Sequence, residues 1–139
     1  MEKKGRSVTA EAVAIQQTLH QTLDMVPKIL EDPISPLLID PASEFYKAII
    51  DYLESASRSV KSPFRVVFIM RSRYTEDCLA ESLDRGVRQY VLLGAGLDTF
   101  AYRQPTRVSA LRIYEVDHAA SQEWKRERLN LPRSRFPAT

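Results

Sequence analysis

The segment Tyr90-Val91-Leu92-Leu93-Gly94-Ala95-Gly96-Leu97-Asp98-Thr99 constrains the fold more than any other, because an apolar run of strand length ends directly in Gly-x-Gly. Glycine reaches backbone angles closed to other residues and carries no Cβ. A Gly-x-Gly turn at the carboxyl end of a strand therefore lets the main chain approach a ligand. Alone, the pattern also describes a bare structural turn. A second strand-like run, Leu111-Arg-Ile-Tyr-Glu-Val116, ends at Asp117, 21 residues beyond Gly96. A carboxylate at the end of a neighbouring strand can accept both hydroxyls of a ribose, and it can equally cap a helix starting near Ala119. The pairing of glycine turn and acid favours a cofactor loop over a plain turn and indicates an α/β unit. A dinucleotide fingerprint needs glycine or alanine at position 99, where this chain has Thr99. Pyrophosphate binding is disfavoured, and with it a nicotinamide-dependent reductase. A nucleotide-like ligand without phosphates fits better.

The rest of the chain reads mainly as helix. Val8, Ile15, Leu19, Leu23 and Val26 recur at helical spacing between Ser7 and Val26, with Ser7 or Thr9 as N-cap and Pro27 as the stop. Asp32-Pro33, Ser35-Pro36 and Asp40-Pro41 mark a connector with a short helical turn around Leu37 to Ile39. Asp40 as N-cap and Pro41 as first residue then predict a helix over 41–58, and polar residues ending in Pro63 predict a loop over 55–63. The run 65–70 suits a buried strand or a helix, and periodicity does not choose. Thr75 with Glu76 and Asp77 predicts a helix over 75–85 that stops at Gly86. A last helix is predicted over 119–129, after which Pro132 and Pro137 close the chain.

Composition bounds the function. A hydrophobic share of 44% and 27% charged residues describe a globular chain, and 139 residues suit one domain. A net charge of +2 gives little field toward nucleic acid or anionic membrane, and no apolar run approaches the roughly 20 residues of a spanning helix. The basic residues Lys125, Arg126, Arg128, Arg133 and Arg135 read as a solvated face. One cysteine, Cys78, reads as packed, and with only two separated histidines there is no zinc-type cluster, so no metal is expected. The basic N-terminus has no apolar stretch behind it, and a reducing cytoplasm is the expected location.

Three strings together carry a resemblance: Arg71-Ser-Arg-Tyr-Thr-Glu-Asp-Cys-Leu79, Leu93-Gly-Ala-Gly-Leu-Asp-Thr-Phe-Ala-Tyr-Arg103 and Tyr114-Glu-Val-Asp117. They resemble the leucine carboxyl methyltransferase family, including its bacterial O-methyltransferase branch linked to polyketide biosynthesis. Thr9-Ala-Glu-Ala-Val-Ala and the Asp-Pro connector extend the likeness over nearly the whole chain. The resemblance implies a class I methyltransferase, Rossmann-like α/β fold, mostly parallel with helices on both faces, and helix for 65–70. Here it would comprise a helical N-terminal extension over 1–63 and a partial cofactor-binding core over 64–139.

It also implies S-adenosyl-L-methionine as cofactor, with Gly94, Ala95 and Gly96 against its methionine and ribose and Asp117 on the ribose hydroxyls. An arginine upstream of the glycine strand meets the cofactor carboxylate in this family, and Arg71 and Arg73 are both candidates, Arg71 preferred. A planar guanidinium grips a carboxylate with two bonds, and either arginine could instead be solvated beside Glu76 or Asp77. Asp98 meets the cofactor ammonium or caps the turn after the glycines. His118 flanks the adenine or lies on the surface. No catalytic side chain is identified, since in-line transfer from a sulfonium asks mainly for alignment. The expected acceptor is a carboxylate or hydroxyl of a small molecule or peptide end. The expected sheet of such a fold has about seven strands, and two are evident. The chain therefore reads as a truncated methyltransferase able to self-associate through an unpaired sheet edge or bare helix face, or as a non-catalytic interaction module that has lost its ligand.

Overall fold

The computed structural model describes residues 7–55, 58–103 and 111–130. The proline pair 132 and 137 and the basic residues 133 and 135 lie outside them. Helix α1 spans Val8–Leu23, capped by the Ser7 hydroxyl, which accepts from the Ala10 amide at 3.3 Å. Its apolar stripe, Ala14, Ile15 and Leu19, is almost wholly buried against Leu38, Ile39 and Leu97, with Trp124 and residues of the second helix packed around it. The connector holds one 3-10 turn, Ser35–Leu38, pinned by Asp32, whose Oδ1 accepts from the Ile34 and Ser35 amides.

Helix α2 spans Glu44–Ser55 and begins three residues later than expected at 41. Asp40 accepts from the Ala42 amide at 3.1 Å and closes a tight turn instead, while the Ser43 hydroxyl takes the capping role, accepting from Tyr46 at 3.0 Å. Helix α3 runs from Arg58 to Asp84 without a break, so the loop expected over 55–63 is helical from 58 onward, with Pro63 inside the helix. Pro63 lies past the first turn, so it removes one backbone hydrogen bond and crowds the carbonyl four residues before it, a cost that the rest of the helix outweighs. Thr75 starts no helix either: its hydroxyl donates back to the Arg71 carbonyl at 2.9 Å, within the same helix. The helix assignment for 65–70 holds, and tertiary packing explains it. Arg65 and Ile69 are buried, and Arg65 grips Asp24 at the end of α1 with two bonds of 2.7 and 3.1 Å. Gly86, at φ +93°, ends α3 as expected, with Val87 donating to the Ser82 carbonyl.

Strands β1 (Gln89–Leu93) and β2 (Arg112–Val116) pair in parallel with Tyr90 opposite Ile113 and Leu92 opposite Glu115. The face bearing these four side chains packs on Leu79 and Leu83 of α3 and on Phe100 and Ala101 of a 3-10 turn, Phe100–Tyr102. The opposite face carries Val91, Leu93 and Val116, with Leu93 80% exposed. Apolar side chains are thus uncovered on this sheet face and also on α3, where Val67, Met70 and Tyr74 are exposed, in keeping with the expected bare helix face. Helix α4 (Ala119–Leu129) is capped by the His118 imidazole, and its end is marked by Asn130 in the left-handed region. Among the described residues, no helix is long and apolar enough to cross a membrane.

Candidate functional site

The site lies where β1 turns away from the sheet. Gly94 and Gly96 adopt φ +67° and +51°, and both angles strain any residue with a Cβ. Space reinforces this at Gly96, where an added Cβ would sit 3.0 Å from the Ala10 Cβ of α1. The turn's amides are engaged inside the protein. Gly94 and Ala95 donate to the Val116 carbonyl at 2.8 and 3.3 Å, and Gly96 donates to Asp117 Oδ2 at 2.5 Å. A phosphate-binding nest needs such N–H groups pointing outward. The amides of residues 94 to 96 therefore do not form such a cradle.

Asp117 is brought to the turn by the parallel pairing of β1 and β2. Its Oδ1 accepts from the His118 amide, so both oxygens are oriented by main chain, and a carboxylate retains lone pairs for a ligand. The helix-capping alternative for Asp117 is taken by His118, whose Nδ1 accepts from Ala120 at 3.3 Å. His118 itself is exposed.

Two cavities of about 400 and 300 Å³ meet at Arg71, Ser72, Gly94, Ala95 and Asp98. The larger extends over Gly96 and Asp117 and is walled by α1 through Thr9, Ala10, Val13 and Gln17. Thr9, Ala10, Val13 and Ser72 stood in the family-like strings, but neither they nor Gln17 were expected as site residues. Their only hint was the small residue Ala10 on the helix, since the Gln17–Ser72 hydrogen bond of 3.3 Å crosses 55 residues. Arg71 lines both cavities. Arg73 sits on another face of α3, bonded twice to Asp77 at 2.7 and 3.0 Å, which holds its guanidinium pKa above the ordinary value.

Asp98 caps the 3-10 turn, accepting from Phe100 at 2.8 Å through Oδ1, and also lines both cavities, so the two roles open to it are compatible. Burial raises its carboxyl pKa above the usual aspartate range, partly countered by the Phe100 amide and by Lys125 and Arg103. Lys125 of α4 is fully buried. It donates to the Asp98 carbonyl at 3.0 Å, pairs with Glu115 at 2.7 Å and lies over the Tyr102 ring. Tyr102 donates to Glu115 at 3.2 Å. Burial raises both the Glu115 carboxyl and the Tyr102 hydroxyl. On the far side of Asp117 lies a third cavity of about 250 Å³, lined among others by Glu115 and Gln122. Glu115 Oε1 and Gln122 Nε2 are buried there without a protein hydrogen-bond partner.

Comparison with known proteins gives the same direction as the geometry. A family model described as leucine carboxyl methyltransferase matches residues 10–139. A Bacillus subtilis protein is 31% identical over 147 residues, covering 93% of this chain and 48% of the relative. A Mycobacterium tuberculosis protein is 33% identical over 104 residues, covering 70% of this chain and 34% of its own length. A protein of Mycobacterium sp. strain KMS is 48% identical over 57 residues, 41% of this chain and 19% of the relative. All three are named as S-adenosyl-L-methionine-dependent methyltransferases, an assignment that their names mark as inferred. The chain spans about half the length of the first relative and about a third of the second.

Proposed function

This chain belongs to the leucine carboxyl methyltransferase family, and we propose that it is the cofactor-holding part of an S-adenosyl-L-methionine-dependent methyltransferase. The observation that carries the reading is the Gly96 amide seated on the Asp117 carboxylate at the edge of a cavity that also takes in Arg71 and Asp98. That donor set matches the cofactor's parts. Arg71 offers a bidentate fork for a carboxylate, Asp98 an acceptor for an ammonium, and Asp117 an acceptor for ribose hydroxyls. Gly94, Ala95 and Gly96 supply a floor without side-chain obstruction, and their inward amides suit a ligand that brings no phosphate. The compartment beyond Asp117 is available to the adenine.

Bound there, S-adenosyl-L-methionine supplies an activated methyl group on a sulfonium, which a nucleophile attacks in line. The chain's own task is alignment: it fixes the amino-acid end and the ribose so that the sulfonium between them has one orientation. The acceptor is a carboxylate or hydroxyl of a small molecule or peptide end, consistent with family membership. Titration calorimetry with S-adenosylhomocysteine tests the reading. Binding that is abolished by Asp117→Ala supports it, and absence of heat and of competition at millimolar ligand removes it.

A second reading, a binding module without turnover, is favoured by the uncovered sheet face at Val91, Leu93 and Val116. Wild-type and Asp117→Ala chains that melt alike in saturating S-adenosylhomocysteine would support that alternative.

A further inference from the structure

Arg71 belongs to α3, whereas Asp98 belongs to the loop after the glycine turn, and among the described residues no bond joins the two. Their supports are joined by Arg103. Its Nη1 donates to Glu76 Oε2 at 3.2 Å and its Nη2 to Oε1 of the same carboxylate, a fork-to-fork pair with a residue of α3 five positions beyond Arg71. Its Nε donates to the hydroxyl of Thr99, the neighbour of Asp98, at 3.0 Å. Thr99 in turn donates to Asp32 Oδ2 at 2.6 Å, and Asp32 is fully buried and fixed by the connector's amides. The Arg103 side chain is itself 8% exposed, so its planar fork is locked by both partners and shielded from water.

Given the cofactor reading above, we propose that Arg103 is a positioning residue that sets the separation between the Arg71 guanidinium and the Asp98 carboxylate. Those two groups face opposite charges of one zwitterion, the carboxylate and ammonium of the cofactor's amino-acid end. The two charges of an amino acid are held at a fixed spacing, so both bonds form together only where the protein charges stand at the matching distance. A lysine at 103 keeps the charge but replaces a rigid five-donor fork by one point, which leaves α3 and the loop free to shift relative to each other. Asp117 hangs on β2 and the Gly96 amide, outside this clamp, so ribose recognition stays intact.

The test uses two ligands on the full chain. S-adenosylhomocysteine has the amino-acid end, and 5′-methylthioadenosine lacks it. Affinities by calorimetry, with competition where binding is weak, are compared for wild type, Arg103→Lys and Glu76→Gln. We expect S-adenosylhomocysteine to weaken roughly tenfold in each variant, within the range of couplings between contacting residues, while 5′-methylthioadenosine changes less than about twofold. Equal loss for both ligands identifies a merely structural role and overturns the inference, as does unchanged S-adenosylhomocysteine affinity. Should Arg103→Lys fail to fold, Glu76→Gln, which keeps the shape of the side chain, decides alone. A wild-type chain that binds no S-adenosylhomocysteine overturns the cofactor reading and this inference together. A wild type that binds it, with variants that keep the ligand ratio, overturns only the inference.

Discussion

Lys125 and Glu115 form an ion pair at 2.7 Å with both side chains withdrawn from solvent, one on α4 and the other on β2. Removing one partner leaves a buried charge without compensation. We therefore expect Lys125→Met to cost about 3–5 kcal/mol of stability, and Lys125→Met combined with Glu115→Gln to recover much of the loss. Denaturant melts of the single and double variants check this, and strictly additive costs would refute it.

The glycines of the turn separate two kinds of cost. Gly94→Ala meets nothing within 4 Å, so only its positive φ penalises the change, by about 1–2 kcal/mol. Gly96→Ala carries the same strain and also drives into the Ala10 Cβ of α1. It should destabilise more than Gly94→Ala. Thermal melts that rank the two in the opposite order would show that α1 yields freely.

Asp98 gives the site a pH dependence. Burial raises its folded pKa above the ordinary 3.8, so in the free protein the carboxyl contributes stability at pH below that value, lost as pH rises through the folded pKa. Binding of an ammonium needs the ionised form and runs the other way. Affinity for S-adenosylhomocysteine should fall on acidification sooner than an ordinary aspartate would dictate, and Asp98→Asn should bind weakly with that segment of the profile flattened. A wild-type profile flat down to pH 4 would count against the role.

The bare sheet face bears on association. Leu93→Lys replaces a side chain that is 80% exposed, so stability should change by less than about 0.5 kcal/mol. Concentration-dependent light scattering should drop in this variant if Val91, Leu93 and Val116 drive self-association. Scattering equal to wild type would place the sticky surface elsewhere.

The parts of the fold that could be read from the chain are those specified locally. Tyr90 to Gly96 announces a strand and a turn through residue type alone, and Gly86 ends a helix because it alone takes φ +93° cheaply there. Val116-Asp117 was legible because the strand's end fixes where the acid stands. Residues 58–74 were not legible from their own pattern, and only the family resemblance gave helix for 65–70, because Pro63 and the β-branched run around Val66 argue locally against helix. What holds them helical is burial of Ile69 and the docking of α3 on α1, some 40 residues earlier, as in the Arg65–Asp24 pair. The same reason hid the cavity wall. Val13 and Gln17 look like ordinary positions of an amphipathic helix, and only the docking of α1 on α3 and on Gly96 turns them toward the site. Arg71 and Arg73 were indistinguishable in sequence. Two residues along a helix is a rotation of about 200°, which sends one to the cavity and the other to Asp77.

The inward-turned amides of residues 94 to 96 bear on competition from ATP and nicotinamide nucleotides. Such molecules share an adenosine with the proposed ligand, but their polyphosphate arms would meet carbonyl and carboxylate oxygens already holding those hydrogens, with the Asp117 charge close by. Under the cofactor reading, discrimination against such molecules rests on the main-chain bonds of Gly94 and Ala95 together with the Asp117 carboxylate.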